Sequence, residues 1–187
     1  MVGIQTKLKE KEIPRLLGTI LQDDLKWDQN TKQLVLKAYA RMQLLRQVSS
    51  FNASIQDLKE IYILFVRSIL EQSAVVWHSS LTQENSDDLE RVQKTAVKII
   101  LKNQYQGYAK GLEKLELETL QERRETLCRN FALKCTKNDK LKHMFPLNAK
   151  RHIMKTRKTE RFKVFKAKTE RYRKSAIIHM QELLNSK

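Results

Sequence analysis

Apolar residues return every three or four positions along most of the chain, the spacing of a helix with one buried face. From Asn30 to about Arg46, Leu34, Val35, Ala38, Met42 and Leu45 keep that rhythm until "SSFNAS" breaks it. Ser54 then reads as an N-cap. Behind it, Ile55, Leu58, Ile61, Tyr62, Phe65, Val66, Ile69 and Leu70 form a broad apolar stripe. Trp77 follows at the exit of that helix, ahead of a Ser/Thr/Asn-rich loop. A third helix, from about Ser86 to Lys102, gathers Leu89, Val92, Ala96, Ile99 and Ile100 on one side. "YQGYAKGLEKLELE" reads as a short helix and turn punctuated by Gly107 and Gly111. Roughly from Thr119 to Thr136, a further helix puts Leu120, Leu127, Cys128, Phe131 and Cys135 on one face. After Pro146 the helical period disappears over 148–174, and Ser175 is the candidate cap of a last helix carrying Ile177, Ile178, Leu183 and Leu184. At the other end, "IPRLLGTILQDDLKW" (13–27) predicts a short strand closing in a polar turn, with Gly18 marking close backbone approach. The pattern therefore predicts a mainly α fold: a helical bundle with a short N-terminal strand and a basic, extended C-terminal arm closed by a helix.

Composition narrows this. The chain has 187 residues, enough for one real core with room for an appendage. It carries only 4 Gly and 2 Pro, which suits long helices and argues against a many-turned β architecture. The net charge of +16 is unevenly spread. Residues 1–133 hold 20 Lys and Arg against 17 Asp and Glu, whereas residues 134–187 hold 17 against 4. So dense a basic tail attracts a polyanion, nucleic acid before an acidic membrane surface. The N-terminus has no apolar run resembling a signal peptide. The most apolar window, "IYILFVRSIL", is about half a membrane span and is interrupted by Arg67, so no transmembrane helix is expected. Two cysteines without a signal point to an intracellular, reduced protein.

Candidate catalytic chemistry is thin. Asp23-Asp24 invites a two-metal reading, since nucleotidyl transfer uses carboxylates around ions about 3.5–4 Å apart. Leu21-Gln22 precedes the pair and no third carboxylate on a strand is evident, which leaves acidic residues in a turn as the simpler reading. Cys128 and Cys135 with His143 and His152 have the spacing C-x6-C-x7-H-x8-H, unlike the close cysteine pair that opens structural zinc sites. Seven residues apart on a helix, the thiols share the apolar face and point into a core. There is no Gly-rich phosphate loop. Neither a metal nor another cofactor is expected.

The cations are more informative. Arg91, Lys94, Lys98 and Lys102 line up opposite the apolar face of their helix, an all-positive ladder where a solvated face ordinarily mixes signs. In the arm, Phe162, Phe165 and Tyr172 sit among Arg157, Lys158, Arg161, Lys163, Lys166, Lys168, Arg171, Arg173 and Lys174. Phosphates need cations spaced along a groove, and single strands add rings on which bases stack. For Phe162 and Phe165 docking onto the helical body is the expected role; for the arginines, phosphate contact. A small repeat, "KTERFK" at 158–163, returns as "KTERYR" at 168–173. Arg124 falls inside the apolar stripe of its helix and is expected to pair with a carboxylate.

"VRSILEQSAVVWHSSLT" (66–82), "DDLERVQKTAVKIIL" (87–101), "LELETLQERRETLC" (115–128), "MFPLN" (144–148) and "TERYRKSAIIHMQELLN" (169–185) stand in the order found after the palm of non-LTR (LINE-type) retrotransposon reverse transcriptases of the jockey-like and CR1-like sort. "LLGTILQDDLKW" (16–27) resembles the segment that ends their palm. The resemblance runs from about Leu16 to Asn185 and departs at Gln72 and His78, where many relatives carry other residues. It implies a palm-end segment over 1–27, a thumb-like bundle over 28–103, a helical extension over 104–147 and a basic arm with terminal helix over 148–187. It implies, too, that the thumb grips template–primer phosphates. The family's aromatic-Ala-Asp-Asp motif belongs upstream of these segments, so the resemblance carries over no catalytic residue.

These readings converge on a nucleic-acid-binding thumb and C-terminal fragment of an RNA-directed DNA polymerase. Its partners would be RNA or an RNA–DNA duplex and the palm and fingers of the same polymerase, with no membrane and no enzymatic activity of its own. The expected cation contacts are Arg91, Lys94, Lys98, Lys102, Arg157, Arg161, Lys163, Arg171, Arg173 and Lys174. The competing reading is a folded remnant of a decayed element without a present role.

Overall fold

A computed structural model describes residues 14–148 and 161–186. The chain opens on a hairpin, not the single strand expected: β1 (Arg15–Leu16) pairs antiparallel with β2 (Thr19–Ile20). Leu17 and Gly18 both take positive φ, 48° and 81°, as a two-residue hairpin turn of the primed type requires. A side chain at Gly18 would meet Gln72 Nε2 at 2.6 Å, the close approach its sequence position suggested.

Helix α1 (Asp28–Ser50) buries Leu34, Ala38, Met42, Leu45 and Ser49 on one face, running two residues earlier and four later than the apolar period alone indicated. Ser54 caps α2 as expected, in a capping box with Asp57 whose two halves satisfy each other's backbone N–H groups. α2 runs as Ile55–Ile61, then through a π-helical stretch Tyr62–Arg67, then Ser68–Leu70. Its buried residues are Leu58, Tyr62, Val66 and Leu70, a strict four-residue repeat. At about 100° per residue such a repeat drifts round an α-helix by about 40° per step, and the wider π turns take that rotation back. Phe65, expected in the stripe, is 45% exposed as a result.

A tight turn at Ser73 (φ 54°) leads to α3 (Ala74–Trp77) and a 3-10 turn, His78–Ser80. Trp77 is fully buried, its indole N–H donated to the Gln72 carbonyl. α4 (Gln83–Leu101) then lies along α1, burying Leu89, Val92, Ala96, Val97 and Ile100. α5 (Tyr108–Leu115) crosses α4 at Gly111, where a Cβ would stand 2.6 Å from Val97 Cγ1. α6 (Leu120–Thr136) starts from a capping box of Thr119 and Glu122. Its buried face runs through Leu120, Arg124, Cys128, Ala132 and Cys135, so Ala132 takes the inward place expected for Phe131, which is 41% exposed.

Two apolar clusters result. The larger is built from α1, α2, α3, α4 and α5 and closed by Leu120. The smaller joins α6 to the C-terminal part through Cys128, Ala132, Cys135, Phe145 and Met180. The last elements are a single turn α7 (Glu170–Arg173) and α8 (Ala176–Asn185), which packs on α6. The fold is mainly α, as the hydrophobic period predicted.

Candidate nucleic-acid interface

The ladder begins on the exposed side of α4 and is three residues long on the helix, not four. Arg91, Lys94 and Lys98 are exposed there. Lys102 falls beyond the helix end: its backbone turns to φ 47°, ψ −123°, and Lys102 Nζ donates to the Ser49 carbonyl at 2.5 Å. The chain must reverse there to seat Tyr105 against the core, and that turn takes Lys102 off the line of the other three.

Each remaining cation has a neighbour. Arg91 pairs with Asp88 one turn back at 2.6 Å, with Arg91 exposed and Asp88 partly covered. Lys94 Nζ stands 5.3 Å from the centre of the Tyr108 ring and Lys98 Nζ 5.6 Å from that of Tyr105, both within cation–π range. A ring face orients an ammonium without neutralising it, whereas a carboxylate cancels its charge. Lys94 and Lys98 thus lie exposed over rings, with no carboxylate within ion-pair distance among the described residues.

The rings are themselves held in place. Gln93, fully buried on α4, accepts from Tyr62 Oη at 2.5 Å and donates through Nε2 to Tyr108 Oη and to the Glu118 carbonyl, both at 2.9 Å. Tyr108 Oη in turn donates to Glu90, whose carboxylate also accepts the Leu120 N–H at the start of α6. Burial, reinforced by the Glu90 hydrogen bond, raises the Tyr108 phenol far above its usual range, and burial raises Tyr62 likewise, so both remain neutral donors. Neither Gln93 nor the tyrosines stood out as site residues in the sequence. The available signal was a polar residue at a core position of the α4 period.

The described part of the arm, 161–174, is bound edge-on to the C-terminal region. Phe162 bridges to Leu147, and the Asn185 side chain holds Phe162 by both its N–H and its carbonyl at 2.9 Å. Gln181 accepts the Phe165 N–H and donates to the Met144 carbonyl. In extended backbone successive side chains alternate, so Phe162 packs into the smaller cluster while Arg161 and Lys163 point to solvent. Docking of Phe162 is therefore as expected, and Phe165 is half-buried. Arg171, Arg173 and Lys174 are exposed on and after α7; Arg173 pairs with Glu170 at 2.6 Å, and Lys174 Nζ is 3.9 Å from the same carboxylate. The sequence repeat is not a structural one, because "RFK" is extended and "RYR" is helical. Arg157 and Lys158 lie outside the described residues. Among those described, no hydrogen bond, ion pair or ring contact joins the ladder to the arm.

Arg124 departs from expectation. It is 1% exposed yet bonds no carboxylate: Nε donates to His78 Nδ1 at 3.2 Å, one Nη to Ser86 Oγ at 2.9 Å, and the other Nη has no partner. The nearest acid on α4, Glu90, is already committed to Leu120 and Tyr108. Cys128 and Cys135 are free thiols in the smaller cluster, as their shared helix face implied; burial pushes Cys128 up to about 11. His143 is exposed, and His152 lies outside the described residues. Asp24 accepts the Lys26 N–H and pairs with Lys26 Nζ, a local turn contact. Among the described residues no three His, Cys, Asp or Glu side chains gather closely enough to hold a metal ion. None of their helices is long and apolar enough to cross a membrane.

Comparison of the chain with family models, curated proteins and solved structures returns no match.

Proposed function

We propose that this chain is a nucleic-acid-binding module, the thumb and C-terminal region of a non-LTR retrotransposon reverse transcriptase. It would hold RNA or an RNA–DNA duplex by its phosphates, working with the palm and fingers of the same polymerase and having no catalysis of its own. The observation that carries this is the placement of Lys94 and Lys98: exposed, ordered over tyrosine rings and not neutralised by carboxylates. The excess of cations beyond residue 133 and the order of segments shared with that family support the same reading. Each phosphate neutralised releases counterions, so affinity falls steeply as salt rises. Titration of a labelled RNA–DNA duplex at several salt concentrations tests it. Lys94→Ala with Lys98→Ala is expected to flatten the plot of log affinity against log salt by about 2 × 0.9 if each lysine meets one phosphate. An unaltered slope, or binding indifferent to salt, counts against the proposal.

The folded-remnant reading draws on a different observation: Arg91 and Arg173 are tied to Asp88 and Glu170, so part of the basic surface is locally cancelled. Absence of binding at physiological salt from a chain that unfolds cooperatively would favour it.

A further inference from the structure

We infer that His78 and His179 form an acid-sensitive latch that holds the C-terminal helix α8, and the basic turn leading into it, against the helical body. This rests on the docking geometry and stands apart from the nucleic-acid proposal.

The 3-10 turn His78–Ser80 receives the start of α8. Ser79 Oγ and Ser80 Oγ both donate to the Lys174 carbonyl, at 2.8 and 2.7 Å. Just before those serines, His78 meets His179 edge to face, their ring centres 5.5 Å apart. Beneath them, Arg124 Nε donates to His78 Nδ1. That bond needs a lone pair on Nδ1, which an imidazolium lacks. A proton on His78 would break it and place a second cation against a buried guanidinium.

The surroundings leave several polar atoms unsatisfied. His179 Nε2, Ser175 Oγ and one Arg124 Nη are buried without partners. The charged and titratable groups acting on the pair and on Arg124 are Arg124, Glu125 and Cys128 from α6, Glu182 from α8, Glu90 from α4 and Glu71 between α2 and α3. Glu125 and Glu182 favour a proton on His179, but burial outweighs them and lowers it. His78 is lowered to about 4, by burial first, then by Arg124 and His179. With both values below the unfolded 6.5, the released state binds more protons. The latch is therefore closed above about pH 6.5 and weakens as pH falls towards 4.

Hydrogen exchange of the full chain at pH 7 and pH 5, corrected for intrinsic rates and run without nucleic acid, tests this. The His78 shift alone predicts that protection of amides between Ile178 and Leu184 drops about 20-fold from pH 7 to pH 5, while those between Val92 and Ile100 in α4 hold. His78→Asn with His179→Gln keeps polar groups in place and should abolish the drop. Equal protection at the two pH values, an equal loss in α4, or the same loss in the double variant overturns the latch. Should that variant fail to fold, the imidazole resonances of the unaltered chain decide: both titrating well below 6.5 supports it, and either titrating near 6.5 overturns it.

Discussion

At the scale of single residues, the most consequential side chain is an uncharged one. Gln93 uses its carbonyl and amide to join α2, α4, α5 and the segment before α6, through Tyr62, Tyr108 and Glu118. A buried donor that loses its partner costs the desolvation of the orphaned group, whereas removing both partners is nearly neutral. Gln93→Leu is therefore expected to lower stability by about 2–3 kcal/mol in urea denaturation, and adding Tyr62→Phe should restore part of that loss. The apolar period of α4 passes over Gln93, because a polar side chain carries no signal of burial until packing supplies its partners. Arg124 teaches the same lesson from the other side. Its burial was legible as a cation inside an apolar stripe, whereas its partners were not, because His78 and Ser86 are distant in sequence and only packing brings them to it.

Among the elements, local rules decided where α2 and α6 begin, whereas Ser175, the expected cap of α8, makes no capping bond, and packing decided course and ends. Ser54 and Thr119 cap their helices where an oxygen three residues before an acidic side chain would be expected to. The course of α2 is another matter: a stripe of apolar residues fits either period, and only contact with α1 and α4 selects the four-residue repeat and its π turns. The end of α4 is set in the same way, since seating Tyr105 costs Lys102 its place on the ladder. Gly111 shows how tight that corner is. Alanine there gains about 1 kcal/mol in helix propensity, but its Cβ would press on Val97 and Leu101, and overpacking costs about 1–3 kcal/mol. Gly111→Ala is thus expected to shift the urea midpoint downward, against the usual sign for a helix.

For the whole molecule, the arm is the part whose behaviour depends most on remote contacts. Extended backbone has no internal hydrogen bonds, so its order comes from Asn185, Gln181 and the Leu147 bridge. Asn185→Ala removes two of those bonds at once. Amides of Phe162 and Phe165 should lose about tenfold in exchange protection, with those of α1 and α4 unchanged. The period of apolar residues, by itself, determined that this chain is mainly α and which faces of its long helices turn inward at most positions, because a helix satisfies its own backbone and needs only one greasy side to be buried. What the buried polar side chains and the ring-bound lysines do was decided by tertiary structure. Whether a lysine rests on a ring or donates to a carbonyl depends on which neighbours packing brings within a few ångströms, and for Lys94, Lys98 and Lys102 those neighbours come from other segments of the chain.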